Sequence, residues 1–296
     1  MEENPVTSRR TNWVRSAAWA VLTPIAQQAA RVYTAGPKLQ DALRVRDRFL
    51  QSGGMTTIGY FNWAKDSPRE IANLNLAAIR ALTGSRDYVS IKLSTIHYGS
   101  ELLEELIRAA TDCGVRLHMD SLQPETVDPT WTVVEGILSR KAGCELGVTL
   151  AARWRRAVGD ARWARQHPLH IRVVKGEWAD PADPRRDPRA GFLQVIDELA
   201  YGARHVAVAS HDLPLASEAI SKLQAAGIPC DLELLYGLPM RASFAVARRL
   251  NVPVRVYVPF GEAMLRYAIN HVVSHPRLTL FLARDFIASL LHNRPK

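Results

Sequence analysis

Eight short apolar runs, each followed by a helical pattern, restrict the fold of this sequence more than any other feature. The runs are rich in β-branched residues, as strands are, and the segments between them repeat apolar residues every three or four positions, as helices do. Strands are predicted at 55–61, 88–93, 116–120, 145–150, 170–175, 205–210, 231–235 and 254–258. Helices are predicted at 68–81, 100–111, 129–139, 159–165, 190–201, 213–225, 240–250 and 262–273. This alternation predicts parallel strands joined by right-handed crossovers.

Eight such units within residues 55–296 match the size of a (β/α)₈ barrel. The alternative is a doubly wound sheet, which needs a glycine-rich phosphate loop after its first strand. The first strand here runs into Ile-Gly-Tyr-Phe-Asn-Trp at 58–63, which is not such a loop. The predicted fold class is therefore α/β, a distorted TIM-type barrel with extra N-terminal helices.

The N-terminal helices are predicted at 13–35 and 37–52, so residues 1–54 should pack on a barrel formed by 55–296. Arg9-Arg10 and the apolar stretch after them faintly resemble a twin-arginine export signal. Because Arg15 and Pro24 interrupt that stretch, an amphipathic helix is preferred. No stretch approaches the ~20 apolar residues of a membrane span.

The formal net charge of +9 favours acidic ligands and a nucleotide cofactor, and leaves nucleic acid and membrane surfaces open as partners. The arginines are scattered and accompany no nucleic-acid motif, so no nucleic-acid partner is predicted. Cys113, Cys144 and Cys230 lie far apart, which argues against a disulfide framework and a zinc site and favours buried thiols. A cytoplasmic location is predicted, with peripheral membrane contact left open.

Charged residues stand near the predicted carboxyl ends of the strands, where barrels carry their chemistry. Lys92, Arg172 and Lys175 lie in otherwise apolar strands, and a buried cation needs an anion. That anion is either a ligand group or a carboxylate of an internal network, and both interpretations stay open. The internal candidates are Asp120, Asp231 and Glu233.

Metal and nucleophile chemistry lack their usual patterns. His118 with Asp120, and His211 with Asp212, have no convincing third ligand, so no metal site is predicted. There is also no G-x-S-x-G elbow.

The strand ends resemble those of the flavin-dependent proline dehydrogenase family. The matching stretches are Tyr-Thr-Ala-Gly at 33–36, Val-Ser-Ile-Lys-Leu-Ser at 89–94, Ile-Arg-Val-Val-Lys-Gly at 171–176, Ala-Ser-His-Asp at 209–212, Leu-Tyr-Gly at 235–237 and Arg-Val-Tyr-Val-Pro-Phe-Gly at 255–261. They follow the family's order and spacing. The resemblance implies a distorted (β/α)₈ barrel that holds FAD non-covalently at the carboxyl ends of its strands.

The resemblance also implies roles for individual residues. Catalytic candidates are Lys92, Tyr257 and His271. Substrate-binding candidates are Lys92, Glu177, Tyr257, Tyr267, Asn270 and His271. Cofactor-binding candidates are Asp120, Arg172, Val174, Lys175, Gly176, Trp178, Ser210, His211 and Glu233. Cations beside the flavin would stabilise negative charge on its reduced ring.

Several family positions differ in this chain. Tyr267 is kept, but Asn270-His271 stand where the family usually carries an arginine pair on the substrate carboxylate. Gly59 stands where the first strand usually supplies an aspartate, and Ala151 replaces a glutamine. A charged hydrogen bond contributes roughly 1.5–3 kcal/mol, so affinity for proline should fall by orders of magnitude.

The predicted function is FAD-dependent oxidation of a secondary or cyclic amine, proline-like or proline-derived, to an imine by hydride transfer to flavin N5. Electrons would pass to a quinone or to oxygen; the oligomeric state is not specified. The alternatives are a flavin-free lyase or aldolase that uses Lys92 or Lys175 as a Schiff base, and a non-catalytic ligand-binding barrel. The flavin hypothesis fails if acids neutralise Arg172 and Lys175 and leave no room for the isoalloxazine.

Overall fold

The computed structural model of the protein describes residues 34–99, 101–120 and 123–264. Within these ranges eight parallel strands pair in chain order, and β8 pairs with β1 to close a barrel. The strands are β1 Met55–Tyr60, β2 Tyr88–Ile91, β3 Arg116–Met119, β4 Leu146–Ala151, β5 Leu169–Val174, β6 His205–Ala209, β7 Cys230–Leu235 and β8 Val254–Phe260. The predicted (β/α)₈ fold is thus confirmed, with each strand bound within about two residues of its prediction.

Helices separate the strands as the sequence predicts. They are α1 Leu39–Gln51, α2 Pro68–Ala81, α3 Glu101–Cys113, α4 Val127–Ser139, α5 Ala157–Arg165, α6 Pro188–Leu199, α7 Leu213–Ala225 and α8 Arg241–Arg249. Two short 3₁₀ helices, Leu93–Ile96 and Pro124–Thr126, were not predicted. The chain turns helical again at 262–264, but the rest of the helix predicted at 262–273 falls outside the described residues. So does the helix predicted at 13–35 except for residues 34 and 35, which are not helical.

Capping side chains explain where several helices begin. Ser67 accepts a hydrogen bond from the backbone N–H of Glu70, and Pro68 occupies the first helical position of α2. Asp187 and Asp212 cap α6 and α7 in the same way. These caps fix the start of each helix close behind the strand end that carries candidate site residues.

The core lies outside the barrel, between strands and helices, whereas the barrel interior is polar. Ile58, Val89 and Leu117 belong to the buried apolar core that the helices cover. Because successive strand side chains point to opposite faces, every second residue enters the barrel instead. The interior residues are mostly polar, among them Thr57, Tyr88, His118, Thr149, Arg172, Asp231, Glu233 and Arg255.

Helix α1 packs against this same core through Leu39, Ala42 and Val45. The proposed domain boundary at residue 54 falls between α1 and β1. The three cysteines carry free thiols and are half-buried; Cys144 and Cys230, which were expected to be buried, are thus partly exposed. In the part of the chain that the structure describes, no helix is long and apolar enough to cross a membrane.

Candidate active site

A cavity of about 470 Å³ opens at the carboxyl ends of the strands. Its size falls in the range of small-ligand sites. Most of the residues predicted for the site line it: Lys92, Asp120, Arg172, Val174, Lys175, Gly176, Glu177, Ser210, His211, Glu233 and Tyr257. The barrel therefore brings together residues from strands that are distant in sequence, and it leaves space beside them for a ligand.

Arg172 forms the floor of this cavity and is only 4% exposed. Its Nε and Nη2 atoms donate to the two carboxylate oxygens of Glu233 at 2.9 and 2.8 Å, and Nη1 donates to Asp120 at 2.7 Å. Burial alone would lower the pKa of Arg172, but the charge of Glu233 and other groups raises it well above its ordinary value. The same contact holds the pKa of Glu233 low against its own burial.

The two acids are held by neutral donors as well. Asp120 accepts hydrogen bonds from Ser90 at 2.5 Å and from Thr149 at 2.7 Å. Glu233 accepts from Thr57 at 2.9 Å and from Tyr88 at 3.1 Å. For the cation on β5, the internal-network interpretation is thus correct: its charge is satisfied by protein carboxylates before any ligand arrives.

Lys175 is also paired, at the rim of the cavity. Its ammonium group lies 2.8 Å from Asp212, which forms a second ion pair with Arg189. Arg189, with help from Lys175, lowers the pKa of Asp212 far below its ordinary value against the opposing effect of burial. Because the Lys175 side chain is 37% exposed, this pair is open to exchange with a ligand anion.

Lys92 differs from the other two cations. It is 9% exposed, and within the described ranges its ammonium group makes no hydrogen bond. Burial lowers the pKa of Lys92 to about 8, and the charge of Asp120 opposes that shift. Its Nζ atom lies 3.6 Å from the centre of the Phe61 ring. Phe61 was missed by the sequence reasoning, although it directly follows the end of β1 and lines the cavity.

Tyr257 and Trp154 supply aromatic surface to the cavity. The ring of Tyr257 lies 5.0 Å from the guanidinium carbon of Arg172, and burial raises the pKa of its hydroxyl well above the ordinary value. Trp154, only 3% exposed, was also missed. Its position three residues after β4 was the available signal, because the other site residues cluster at strand ends.

His211 and Ser210 hold the backbone at the end of β6. The Nε2 atom of His211 accepts from the backbone N–H of Leu235 at 2.9 Å, and Nδ1 donates to the carbonyl of Pro239 at 3.3 Å. Burial lowers the pKa of His211, which favours this neutral form. The hydroxyl of Ser210 accepts from the backbone N–H of Asp212 at 3.1 Å.

The segment after β5 turns at Gly176, whose φ is +91°. A Cβ there would approach the side chains of Ala151 and Arg153 to 3.1 and 3.2 Å, so glycine fits this turn best. Glu177 lines the cavity edge, whereas Trp178 is 48% exposed, outside the cavity lining.

Three of the predicted substrate-binding residues, Tyr267, Asn270 and His271, lie outside the described residues. Across residues 34–99, 101–120 and 123–264, no group of three His, Cys, Asp or Glu side chains is arranged to hold a metal ion.

The sequence is similar to proline dehydrogenases of two bacteria. It is 24% identical to proline dehydrogenase 1 of Bacillus subtilis over 276 residues, which is 87% of this chain and 90% of that protein. It is 23% identical to the proline dehydrogenase of Deinococcus radiodurans over 279 residues, with the same shares of the two chains. No family model matches the sequence.

The fold is similar to part of two proline utilization A (PutA) structures. The PutA of Bdellovibrio bacteriovorus, inactivated by N-propargylglycine, superposes on 84% of this chain with a TM-score of 0.73 and 15% identity. The PutA of Corynebacterium freiburgense covers 96% with a TM-score of 0.69 and 18% identity. The chain spans about a third of each PutA, 32% and 34% respectively. At these identities the likeness concerns the barrel alone. The chain is thus similar in sequence to proline dehydrogenases along most of its length, and it shares its barrel with the two PutA structures.

Proposed function

We propose that this protein is a flavin-dependent oxidoreductase that acts on the CH–NH bond of a secondary or cyclic amine, proline-like or proline-derived, and yields an imine. The observation that carries the proposal is the cavity at the carboxyl ends of the strands. It gathers Lys92, Asp120, Arg172 and Tyr257, which belong to four different strands or strand ends and match the motifs of the proline dehydrogenases.

The residues lining the cavity fit FAD in two respects. One wall is apolar, with Val174, Leu235 and Leu238, and suits a flat ring system. The ammonium group of Lys92 has no hydrogen-bond partner in the described chain. It would stabilise the negative charge of a reduced flavin ring placed beside it. Val174, Gly176, Lys175 and Ser210 would hold the cofactor. FAD, when bound, supplies the acceptor for the hydride that leaves the carbon next to nitrogen.

The chain's own residues bind and orient the amine. Arg172 and the carboxylates of Asp120 and Glu233 form a floor in which the cation is already paired, so a ligand meets a rigid, preorganised surface. Tyr257, Phe61 and Trp154 place aromatic surface around the reacting carbon and exclude water. Glu177, at the edge, is placed to attract a protonated amine as it enters.

The substrate class is inferred from the sequence at 270–271, within the helix predicted at 262–273. Asn270-His271 replace the arginine pair, which suits an amine with no carboxylate or with one placed differently. His271 is a candidate acid or base for the amine proton. A quinone or oxygen as electron acceptor, a cytoplasmic location and peripheral membrane contact stay predictions.

The test uses the full chain, purified and mixed with FAD. We expect a flavin absorption spectrum that bleaches under anaerobic conditions when the correct member of a panel of secondary and cyclic amines is added. Arg69→Ala, which removes an exposed ion pair with Glu105 far from the cavity, serves as the matched control and should bind and bleach like the parent. A protein that stays colourless and takes up no FAD contradicts the proposal.

One alternative is favoured by a specific observation. The pKa of Lys92, lowered to about 8 by burial, leaves part of this lysine as a neutral amine able to form a Schiff base with a carbonyl compound. Lys175 is instead held in an ion pair with Asp212. Borohydride trapping of a carbonyl ligand on Lys92, in protein that does not bind FAD, would favour the lyase or aldolase.

A further inference from the structure

Lys92 belongs to one of the matching motifs, and it contacts Phe61, which belongs to none of them. The ammonium of Lys92 lies 3.6 Å from the ring centre of Phe61, and both residues line the cavity. We propose that Phe61 is a positioning residue: its ring holds the Lys92 ammonium at the cavity wall, charged, so that it meets an acidic group of the ligand. Only the identity of the ligand rests on the proposed function; the contact itself does not.

Lys92 needs such a partner more than the other cations of the cavity do. Arg172 is bonded to Asp120 and Glu233, and Lys175 is paired with Asp212. Lys92 is only 9% exposed, yet within the described chain its ammonium group makes no hydrogen bond. The charge that opposes the effect of burial on its pKa is that of Asp120. Since Arg172 already shares Asp120, that acid compensates the ammonium only in part.

An aromatic ring suits this site for a physical reason. Burial favours the neutral amine, because an ammonium group loses its hydration in a low-dielectric cavity. The negative face of an aromatic ring attracts a cation, and the attraction is strongest where water is absent. Unlike a carboxylate, the ring adds no negative charge that would repel an acidic ligand. Phe61 therefore keeps Lys92 positive and available.

The backbone around Phe61 fixes the ring. Its N–H donates to the carbonyl of Phe260 at 2.8 Å, which continues the β1–β8 pairing by one residue. Its carbonyl oxygen faces Gly261, where a Cβ would come within 2.4 Å, so only glycine permits this approach. The hydroxyl of Tyr60, one residue before Phe61, and the backbone N–H of Trp63, two residues after it, both donate to Asp66 at 2.7 Å. The ring is thus held by the end of β8 and by its own loop.

The direct test measures the ionisation of Lys92 by NMR in the protein without added flavin. The sequence contains seven lysines, so protein labelled with ¹³C at lysine Cε gives a spectrum that Lys92→Arg assigns. A pH titration then reports the Lys92 pKa. Phe61→Leu and Phe61→Met remove the ring and keep an apolar side chain, and we expect each to lower that pKa by about one unit. Phe61→Tyr and Phe61→Trp should restore the parent value.

Leu238→Ala is the matched control, because it enlarges the same cavity and leaves both Phe61 and Lys92 in place. It should leave the Lys92 pKa unchanged. An unchanged or raised pKa in the non-aromatic variants, or an equal fall in the Leu238→Ala variant, overturns the proposal. Because no flavin is needed, this result is independent of whether the protein oxidises amines.

The ligand side is tested with L-proline and pyrrolidine, which differ by the carboxylate. Both are titrated while the shift of the Lys92 signal is followed. We expect Phe61→Leu to weaken the binding of L-proline about fivefold or more and to change the affinity for pyrrolidine by no more than about twofold. Phe61→Tyr should bind both compounds as the parent does. Equal loss for the two compounds would show that Phe61 merely shapes the cavity, and would refute its role in presenting the charge.

Discussion

The hydroxyl of Tyr257 fills the space that a side chain at position 59 would need. A Cβ placed on Gly59 would lie 2.2 Å from the hydroxyl oxygen and 2.7 Å from the ring carbon that carries it. The two residues face each other because β1 and β8 close the barrel, with Gly59 opposite Pro259 and Thr57 opposite Tyr257. Gly59 stands where an aspartate is expected from the family resemblance, and in this chain the tyrosine hydroxyl leaves no room for a side chain there.

This relationship predicts that Gly59→Ala is destabilising while Tyr257 is present. Overpacking of a rigid barrel interior should lower the free energy of unfolding by about 1–3 kcal/mol. In a Tyr257→Leu background the same substitution should lower the free energy of unfolding clearly less. Urea denaturation of the parent, the two single variants and the double variant measures the coupling energy between the two positions. Gly136→Ala, in α4 with no atom within 4 Å of the added methyl group, is the control and should not destabilise. Equal costs in both backgrounds would contradict the steric relationship.

The floor network predicts a large and non-additive effect at Arg172. Arg172→Met leaves two buried carboxylates without their cation, and we expect a loss of about 3–5 kcal/mol in unfolding free energy. Adding Glu233→Gln should recover part of that loss, because one of the uncompensated charges is removed. Chemical denaturation measures both. Strict additivity of the two substitutions would show that the pair does not act as a unit.

Three histidines on β3, β5 and β6 predict that acid lowers the stability of the fold. Burial, then nearby arginines, lowers the pKa of His118 well below its ordinary value and that of His170 to about 2. Burial also lowers the pKa of His205, against the charge of Asp231. The folded protein therefore keeps these rings neutral where the unfolded chain, with pKa values near about 6.5, binds protons.

Because the unfolded state binds more protons below about pH 6.5, the free energy of unfolding should fall as the pH falls from about 7 to about 5. Each such histidine contributes a slope of up to about 1.4 kcal/mol per pH unit. Denaturation at both pH values checks this. His205→Asn should flatten the dependence, whereas the exposed His97→Asn should leave it as in the parent. A parent and a His205→Asn protein with the same slope would disprove the assignment.

The replaced arginine pair predicts that L-proline is a poor substrate. Without two charged hydrogen bonds on its carboxylate, binding should be weaker by orders of magnitude. A steady-state assay with proline and an artificial electron acceptor measures this, and ordinary turnover at low millimolar proline would refute it. Asn270→Arg with His271→Arg should raise proline turnover, unless acids such as the one missing at Gly59 are also needed.

The strand-end residues illustrate what periodicity alone predicted. Lys92, Asp120, Arg172 and Tyr257 were expected at the carboxyl ends of strands, and the structure places all four around one cavity. This succeeded because parallel strands of one barrel end on the same side, whatever connects them. The partner of each charge was not predictable. The anion that pairs with Arg172 could have been a ligand group or a protein carboxylate, and residue types alone did not distinguish the two.

Phe61 and Trp154 show the opposite case. Phe61 directly follows β1 and Trp154 lies three residues after β4, yet no motif marks them, and an aromatic residue near a strand end can belong to a core as well as to a cavity. Phe61 meets Lys92 only because β1 and β2 are neighbours in the closed barrel. His211 was expected beside the cofactor, but the structure uses both of its ring nitrogens for backbone contacts.

The sequence by itself determined the eight units, the ends of the strands and the residues found there, since hydrophobic periodicity and capping act between neighbours along the chain. Only the tertiary structure decided which charged side chains form ion pairs inside the protein and which remain available to a ligand. Arg172 and Glu233 are separated by 61 positions and meet because the barrel closes. Closure sets distances between side chains that no local pattern encodes, and these distances leave Lys92, above Phe61, as the cation of the described cavity without a carboxylate bonded to it.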